Sequence, residues 1–532
     1  MKTSTFSKVA LAGAVIASTV TAAGMSAAHA DSDPHVVGVP SANPKFGVQN
    51  NVLTPSATQT SVAWGNLPLV NPDVANGVTH YGYNTLGGGP LTQARDEAHK
   101  TEPDKNVYLT FGGKHYLYQG HELGPRGYVT RINLDETDPA KRVTLISDTD
   151  AQGNAYPTID GITWDPFTRQ LLLTAEAKSP QGGVFGVSLD QAGDSIDGHA
   201  VRLDALGSGG YEGVQNDRAG NVWLVEDIGG VAAGGGKVPN SYVYRFTPTD
   251  KSDLTRGGKL EALQIERRSG KPATAQELQA DPSDSFIADL HRYGTSFTTR
   301  WVTVHDGASG PFDATAAAAA AQATPLKRPE NGVFRPGTDF REFYFSETGD
   351  TSTDSTLPGR FGGVFRLSQS SPTASKGRIS IAAVGDREHT GFDNVSFLTA
   401  EDLLVVEDAG DTLHTQRNAL DSGYRYQVGG GDQGQHPQSR SDHGSRGAPR
   451  PTRWLAEGRD ASATFDSMSG PAYNDGDNEI TGIHVSDGDP TAAGILGAKT
   501  PQPLGSSWRT FWTQQHGDNV TWEISWTRDS QR

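Results

Sequence analysis

Glu122, Glu176, Glu212, Glu330, Asp393, Glu407 and Glu479 recur along the 532-residue chain at one kind of place, the border of a short β-rich run. Carboxylates gathered in this way, with backbone carbonyls beside them, are the hard oxygen ligands that calcium takes in sets of about six to eight. A single such acid is ordinarily a solvated turn residue or a partner for backbone amides. Repetition changes that reading. Acids held at one mouth without a cation repel one another and raise their own pKa values, so a bound metal is the more economical account. Arg328 stands two residues before Glu330, where a guanidinium can hold a phosphate through two parallel hydrogen bonds beside the metal. The plain alternative is a surface arginine ahead of a proline-stiffened turn. His121 and His516 adjoin candidate mouth positions and are further ligand candidates, although a lone histidine is more often structural.

The elements that must position these residues are hairpins. Asp160-Gly-Ile-Thr-Trp-Asp-Pro leads to Leu171-Leu-Leu-Thr-Ala-Glu176, Glu212-Gly-Val-Gln-Asn-Asp to Val222-Trp-Leu-Val-Glu226-Asp227, Glu330-Asn-Gly-Val-Phe to Phe343-Tyr-Phe-Ser-Glu347, and Asp393-Asn-Val-Ser-Phe to Leu403-Leu-Val-Val-Glu407-Asp408. Two outlying copies are looser: His115-Tyr-Leu-Tyr-Gln-Gly-His121-Glu122 carries only the second half, and Glu479-Ile-Thr-Gly-Ile-His-Val is separated from Trp508-Arg-Thr-Phe-Trp-Thr-Gln514 by an insertion. Short β-branched or aromatic runs broken by Gly, Pro, Asn and Asp are two-stranded antiparallel hairpins. The residue before the first strand and the residue after the second lie at the same end, so the acids of each copy meet.

Further strands follow several copies, such as Gly183-Val-Phe-Gly-Val-Ser and Gly363-Val-Phe-Arg-Leu. Three or four strands per unit at blade-like spacing predict an all-β β-propeller of about six blades. A solenoid and a pair of sandwiches share the short strands, but a propeller also brings the same end of every inner hairpin to one central mouth. Residues 101–532 are assigned to the propeller and 31–100 to an N-terminal segment with a blade-closing strand. A small helical insertion is expected at 251–326, from Thr274 to Leu278, Ser285 to Arg292 and the alanine run Ala314 to Ala321. A mobile polar loop is expected at 429–451, which has hardly an apolar residue.

Lys2 and Lys8, the apolar stretch Val9 to Val20 and Ala28-His29-Ala30 predict a secretory signal peptide over 1–30, cleaved after Ala30, with no membrane insertion afterwards. Loss of the two leader lysines takes the net charge from −17 to −19, a sign that argues against nucleic acid as a partner and is compatible with cations. Acidity of that size also serves solubility alone. Cysteine is absent, which excludes disulfides, thiolate metal sites and cysteine nucleophiles.

The chain from about His121 to His516 resembles the PhoX-type alkaline phosphatase family. The resemblance is carried by Gly258-Lys-Leu-Glu-Ala-Leu263 before Trp301-Val, then Arg328-Pro-Glu330, Asp393-Asn394 with Glu407-Asp408, Asn478-Glu479-Ile-Thr-Gly482 and Gln515-His516-Gly517, in the family's order. Leu173-Thr-Ala-Glu176-Ala177 is similar to the family's Leu-Thr-Cys-Glu-Glu, and Tyr211-Glu212 to its His-Glu. The resemblance implies a secreted calcium-dependent phosphomonoesterase on a six-bladed propeller whose site holds iron and calcium. It departs at Ala175, which stands where the family has its iron-binding cysteine, at Ala177, at Gly120 and in a leader without twin arginines. Alanine has no donor atom, so the expected metal is calcium, with little or no iron. The function expected is hydrolysis of a small phosphorylated substrate by a monomer, with Arg328 orienting the phosphate. The alternatives are a noncatalytic calcium-stabilised extracellular propeller, or a propeller hydrolase acting on phosphodiester, phytate-like or lactone substrates.

Overall fold

The computed structural model describes residues 33–43, 49–65, 67–72, 78, 80–82, 102–123, 126–233, 235–307, 310–428, 449–458, 479–515 and 519–528. The leader, its cleavage point, His516 and nearly all of the loop at 429–451 lie outside them. Alternating and fully apolar β runs separated by turn residues form six four-stranded antiparallel units. Blade 1 begins at Pro103–Phe111, blade 2 at Ile159–Asp165, blade 3 at Tyr211–Asn216, blade 4 at Pro329–Phe334, blade 5 at Phe392–Phe397 and blade 6 at Ile480–Ser486. These six first strands pack side by side in that order, and blade 6 packs back on blade 1. The chain is a six-bladed β-propeller with those strands around its axis.

The ring is closed by the N-terminal segment. Ala57–Ala63 pairs antiparallel with Val520–Trp526 as the outermost strand of blade 6, and Val52–Leu53 adds to the outer strand of blade 5. Residues distant in sequence thus share one sheet, and separating the ends would expose an unpaired edge. The three expected helices are present as Ala275–Ala280, Ser285–Leu290 and Ala314–Ala320, each started by a side-chain cap from Thr274, Asp284 or Asp313. The segment 251–326 is not wholly an insertion, however. Gly258–Ile265 is the fourth strand of blade 3, and Phe297–Gly307 pairs with it and with the outer strand of blade 4, fusing the two blades into one nine-stranded sheet. Trp223 of blade 3 packs edge-on against Phe334 of blade 4 and Trp301 of the bridging strand, so large aromatic area holds this seam together.

Candidate metal centre at the propeller mouth

One register repeats in every blade. The first residue of each inner strand pairs with the last residue of the second strand: Pro103 with His121, Ile159 with Ala175, Tyr211 with Glu226, Pro329 with Glu347, Phe392 with Glu407 and Ile480 with Gln514. The ladder then slips in all six blades within the next few residues. Bulges of this kind re-aim a side chain, and the second residue of each inner strand, at the slip or next to it, is Asp104, Asp160, Glu212, Glu330, Asp393 or Thr481. All six are buried. Five carboxylates and one hydroxyl therefore occupy equivalent places around the axis.

A second ring comes from the residue after each second strand: Glu122, Glu176, Asp227, Thr348, Asp408 and Gln515. Each donates its backbone N–H to the carbonyl of the residue preceding the inner strand, namely Glu102, Thr158, Gly210, Arg328, Gly391 and Glu479. The rings meet in two acidic triads. Single carboxylate oxygens of Asp104, Glu122 and Asp160 lie within 4.8 Å of one another, and so do those of Glu212, Asp227 and Glu330. Glu176 is placed between them, under the charge of Glu122 on one side and of Asp227 and Glu330 on the other.

The surroundings complete the centre. Gln515 Nε2 donates to Glu122 at 2.8 Å, Thr481 donates to Asp104 and Thr348 donates to Glu330. Asn331 Nδ2 donates to Glu212 at 2.8 Å and to Asp393 at 3.4 Å. Arg328 Nε donates to Asp227 at 2.7 Å, and its Nη2 lies 3.5 Å from Glu330. Its backbone is left-handed at φ 56°, a conformation that costs a non-glycine residue free energy. Burial opposes the charge on Arg328, but Asp227, Glu330 and Asp408 outweigh it and hold the guanidinium protonated. Beside it, the hairpin of Val231–Ala233 with Gly236–Val238 carries Lys237, whose charge and that of Arg328 act on each other.

Burial pushes the carboxyls of Asp104, Asp160, Glu176, Glu212 and Glu330 above their ordinary range, and mutual repulsion adds to this for the last four. Asp393 is pushed up to about 6, first by burial and then by Asp104. Acids so placed gain from any cation that lets them ionise. Asp160 Oδ1 is buried without a hydrogen-bond partner. An orphaned carboxylate oxygen among other oxygens fits a hard cation such as calcium. A thiolate-bound iron does not fit: the sequence has no cysteine, and Ala175 is a fully buried apolar strand end.

Of the expected ligands, the structure brings Glu122, Glu176, Glu212, Glu330 and Asp393 to this mouth, with Arg328 among them. Glu407 is placed otherwise. Both its oxygens bind Arg417, at 2.9 and 3.0 Å, because it holds the strand-end register also occupied by Glu226 and Glu347. Glu226 likewise accepts from Tyr242 N and Tyr244 Oη, and Glu347 from Lys327 N and His291. The following residue, Asp408, is the one whose charge reaches Arg328 and Asp104. Glu479 holds the register of Arg328, one residue before its inner strand, and belongs to neither triad. His121 is buried, bonds Thr130 Oγ1 at 2.9 Å and stacks on Tyr128. Asp104, which the hairpin pattern did not reach, and Asp160 and Asp227, which it contained but did not single out, complete the triads. The signal that could have found all three is an acid one place after the first residue of a strand, or immediately after the last.

The alkaline phosphatase PhoX family profile matches residues 199–489. No curated protein matches the chain. Among solved structures it is similar to Pseudomonas fluorescens PhoX in complex with vanadate, a transition state analogue, at 11% identity and TM-score 0.54, over 93% of this chain and 98% of that one. More distant are the Pseudomonas aeruginosa periplasmic gluconolactonase, with 13% identity, TM-score 0.33 and 76% and 99% of the two chains covered, and a Podospora anserina α-L-arabinofuranosidase in complex with cellotriose, with 10% identity, TM-score 0.31 and 87% and 96% covered. With more than half of the sequence inside the family profile and the propeller shared along nearly its whole length, the chain belongs to the alkaline phosphatase PhoX family.

Proposed function

We propose that this protein is a secreted, calcium-dependent phosphomonoesterase. The observation that carries the reading is the guanidinium of Arg328 held between Asp227 and Glu330 at the border of an acidic triad. Asp104, Glu122 and Asp160 would hold one calcium and Glu212, Asp227 and Glu330 another, with Glu176 available to either. Calcium bound there supplies positive charge for the oxygens of a transferring phosphoryl group. Arg328 orients that group: its Nε is engaged by Asp227, which fixes the plane of the guanidinium and aims the remaining N–H donors. Lys237 adds a second positive charge on the same side, so a small dianionic phosphate is favoured over a neutral substrate. The Asn331 bridge between Glu212 and Asp393 stiffens those two acids, which limits their reorganisation on binding.

The test is release of phosphate from p-nitrophenyl phosphate by the purified protein, with calcium and with excess chelator, alongside elemental analysis. Calcium-dependent turnover with calcium bound and little iron is expected. Calcium-dependent melting without turnover would instead leave a calcium-stabilised, noncatalytic propeller, and iron in about stoichiometric amount with robust activity would overturn the reading of Ala175.

A further inference from the structure

The residue after each member of the first ring, the five carboxylates and Thr481, forms a layer of its own: Lys105, Gly161, Gly213, Asn331, Asn394 and Gly482. Three of the six are glycines, for a steric reason. A Cβ on Gly161 would stand 1.9 Å from the Glu212 carbonyl oxygen, one on Gly213 2.7 Å from that of Glu330, and one on Gly482 2.7 Å from that of Asp104. Neighbouring inner strands approach too closely there for any side chain. That leaves the centre of the layer to Lys105, its only long side chain.

Lys105 is 4% exposed. From blade 1 it reaches past blade 6 to blade 5, where Nζ donates to Asn394 Oδ1 at 2.5 Å. Burial lowers the pKa of Lys105, and four carboxylates from four blades, Asp393, Asp104, Glu212 and Asp160, oppose that shift and favour the ammonium. Asn394 in turn donates to both oxygens of Asp393, at 2.7 Å, and Asn331 donates to Glu212 and Asp393. The axial side of the ring is therefore served by one ammonium and two amides, whereas the two triads lie toward Glu122 and Asp227.

We propose that Lys105 is a built-in cation that occupies the axial place a metal ion would otherwise take, and so limits the metals of this mouth to the two triads. An ammonium on a tether neutralises ring charge without exchange with solvent, and it leaves the axial carboxylates with organic donors instead of an ion. The inference rests on the calcium reading only in the choice of ion for the test.

The experiment compares wild type, Lys105→Ser and Lys105→Arg, each stripped with chelator, reloaded with calcium, freed of excess and measured by elemental analysis and thermal melting. Lys105→Ser should gain about one calcium per chain over wild type, melt below wild type in chelator and show the larger rise in Tm with calcium. Lys105→Arg, which keeps the charge, should gain none. A gain from no calcium in wild type to about one in Lys105→Ser would uphold this inference while refuting calcium in the natural centre. Equal metal content in wild type and Lys105→Ser overturns it. So does a Lys105→Ser variant that fails to fold even in saturating calcium while Lys105→Arg folds, because an ion could not then stand in for the ammonium.

Discussion

Replacing Glu407 by glutamine separates the two roles that an acid at this place could have. The carboxylate accepts from Arg417 Nη1 at 2.9 Å and Nη2 at 3.0 Å, and from Thr390 N at 3.1 Å. Arg417 also bonds Asp421 at 3.0 Å, and all three charged side chains are almost completely buried. The glutamine amide presents a donor to the guanidinium in either orientation, and in one of them to Thr390 N–H as well, so at least one contact becomes donor against donor. Removing one partner of a buried pair costs about 3–5 kcal/mol, and one charged hydrogen bond contributes about 1.5–3 kcal/mol. Asp421 keeps its hold on Arg417 and one glutamine oxygen can still accept, so a loss near the lower end, about 3 kcal/mol, is expected. Glu407 touches neither triad, so the calcium content should stay at the wild-type value. Denaturant unfolding read together with elemental analysis of the same preparations decides the matter. A Glu407→Gln protein that melts like wild type in chelator yet has lost a calcium would show that Glu407 is a ligand and that its pairing with Arg417 is incidental.

Two other perturbations address separate parts of the molecule. Arg328→Lys removes the planar fork while keeping the charge, so kcat/KM on a phosphomonoester should fall about tenfold to hundredfold, the equivalent of one lost charged hydrogen bond, with calcium content unchanged; wild-type kinetics in the folded variant would take Arg328 out of the site. His484 is held down to about 3 by burial and then by the charge of Lys105, and its Nε2 accepts from Tyr108 N. Below its ordinary value of 6.5 the unfolded chain binds a proton that the folded chain refuses, so stability falls as pH drops from about 6.5 toward 3, by at most about 5 kcal/mol. His484→Gln, which keeps an acceptor and cannot titrate, should flatten that fall, and parallel acid-unfolding curves for the two proteins would refute the assignment.

Much of this architecture is local, and for that reason was legible. Runs such as Val222 to Val225 or Leu403 to Val406 are too short, too rich in β-branched or aromatic residues and too closely bounded by turn residues for anything but strands, and their repetition at blade spacing predicts the propeller. The acids at their borders follow from the same pattern, because a hairpin must bring its two ends together. The alanine run and the Thr274 to Glu277 capping box likewise contain their own instructions for a helix.

What the pattern does not contain is which of two adjacent acids faces the axis. Successive residues leave a strand on opposite sides, so in Glu226-Asp227 and Glu407-Asp408 one member goes to the mouth and the other to an internal partner, and the choice depends on where the ladder slips. Arg417 reaches Glu407 only through the helix Gly410–Arg417, which no periodic signal announced. The first strand of blade 1 opens with Pro103-Asp104-Lys105-Asn106, a polar start that reads as loop. Only closure of the ring, with Ala57–Ala63 completing blade 6, puts Asp104 beside Asp160 and brings Lys105 past blade 6 to Asn394 of blade 5. Sequence determined the kinds of residue at the strand ends because those are set by local propensity. Tertiary structure decided which of them meet in a triad, because that depends on distances between blades contributed from both ends of the chain.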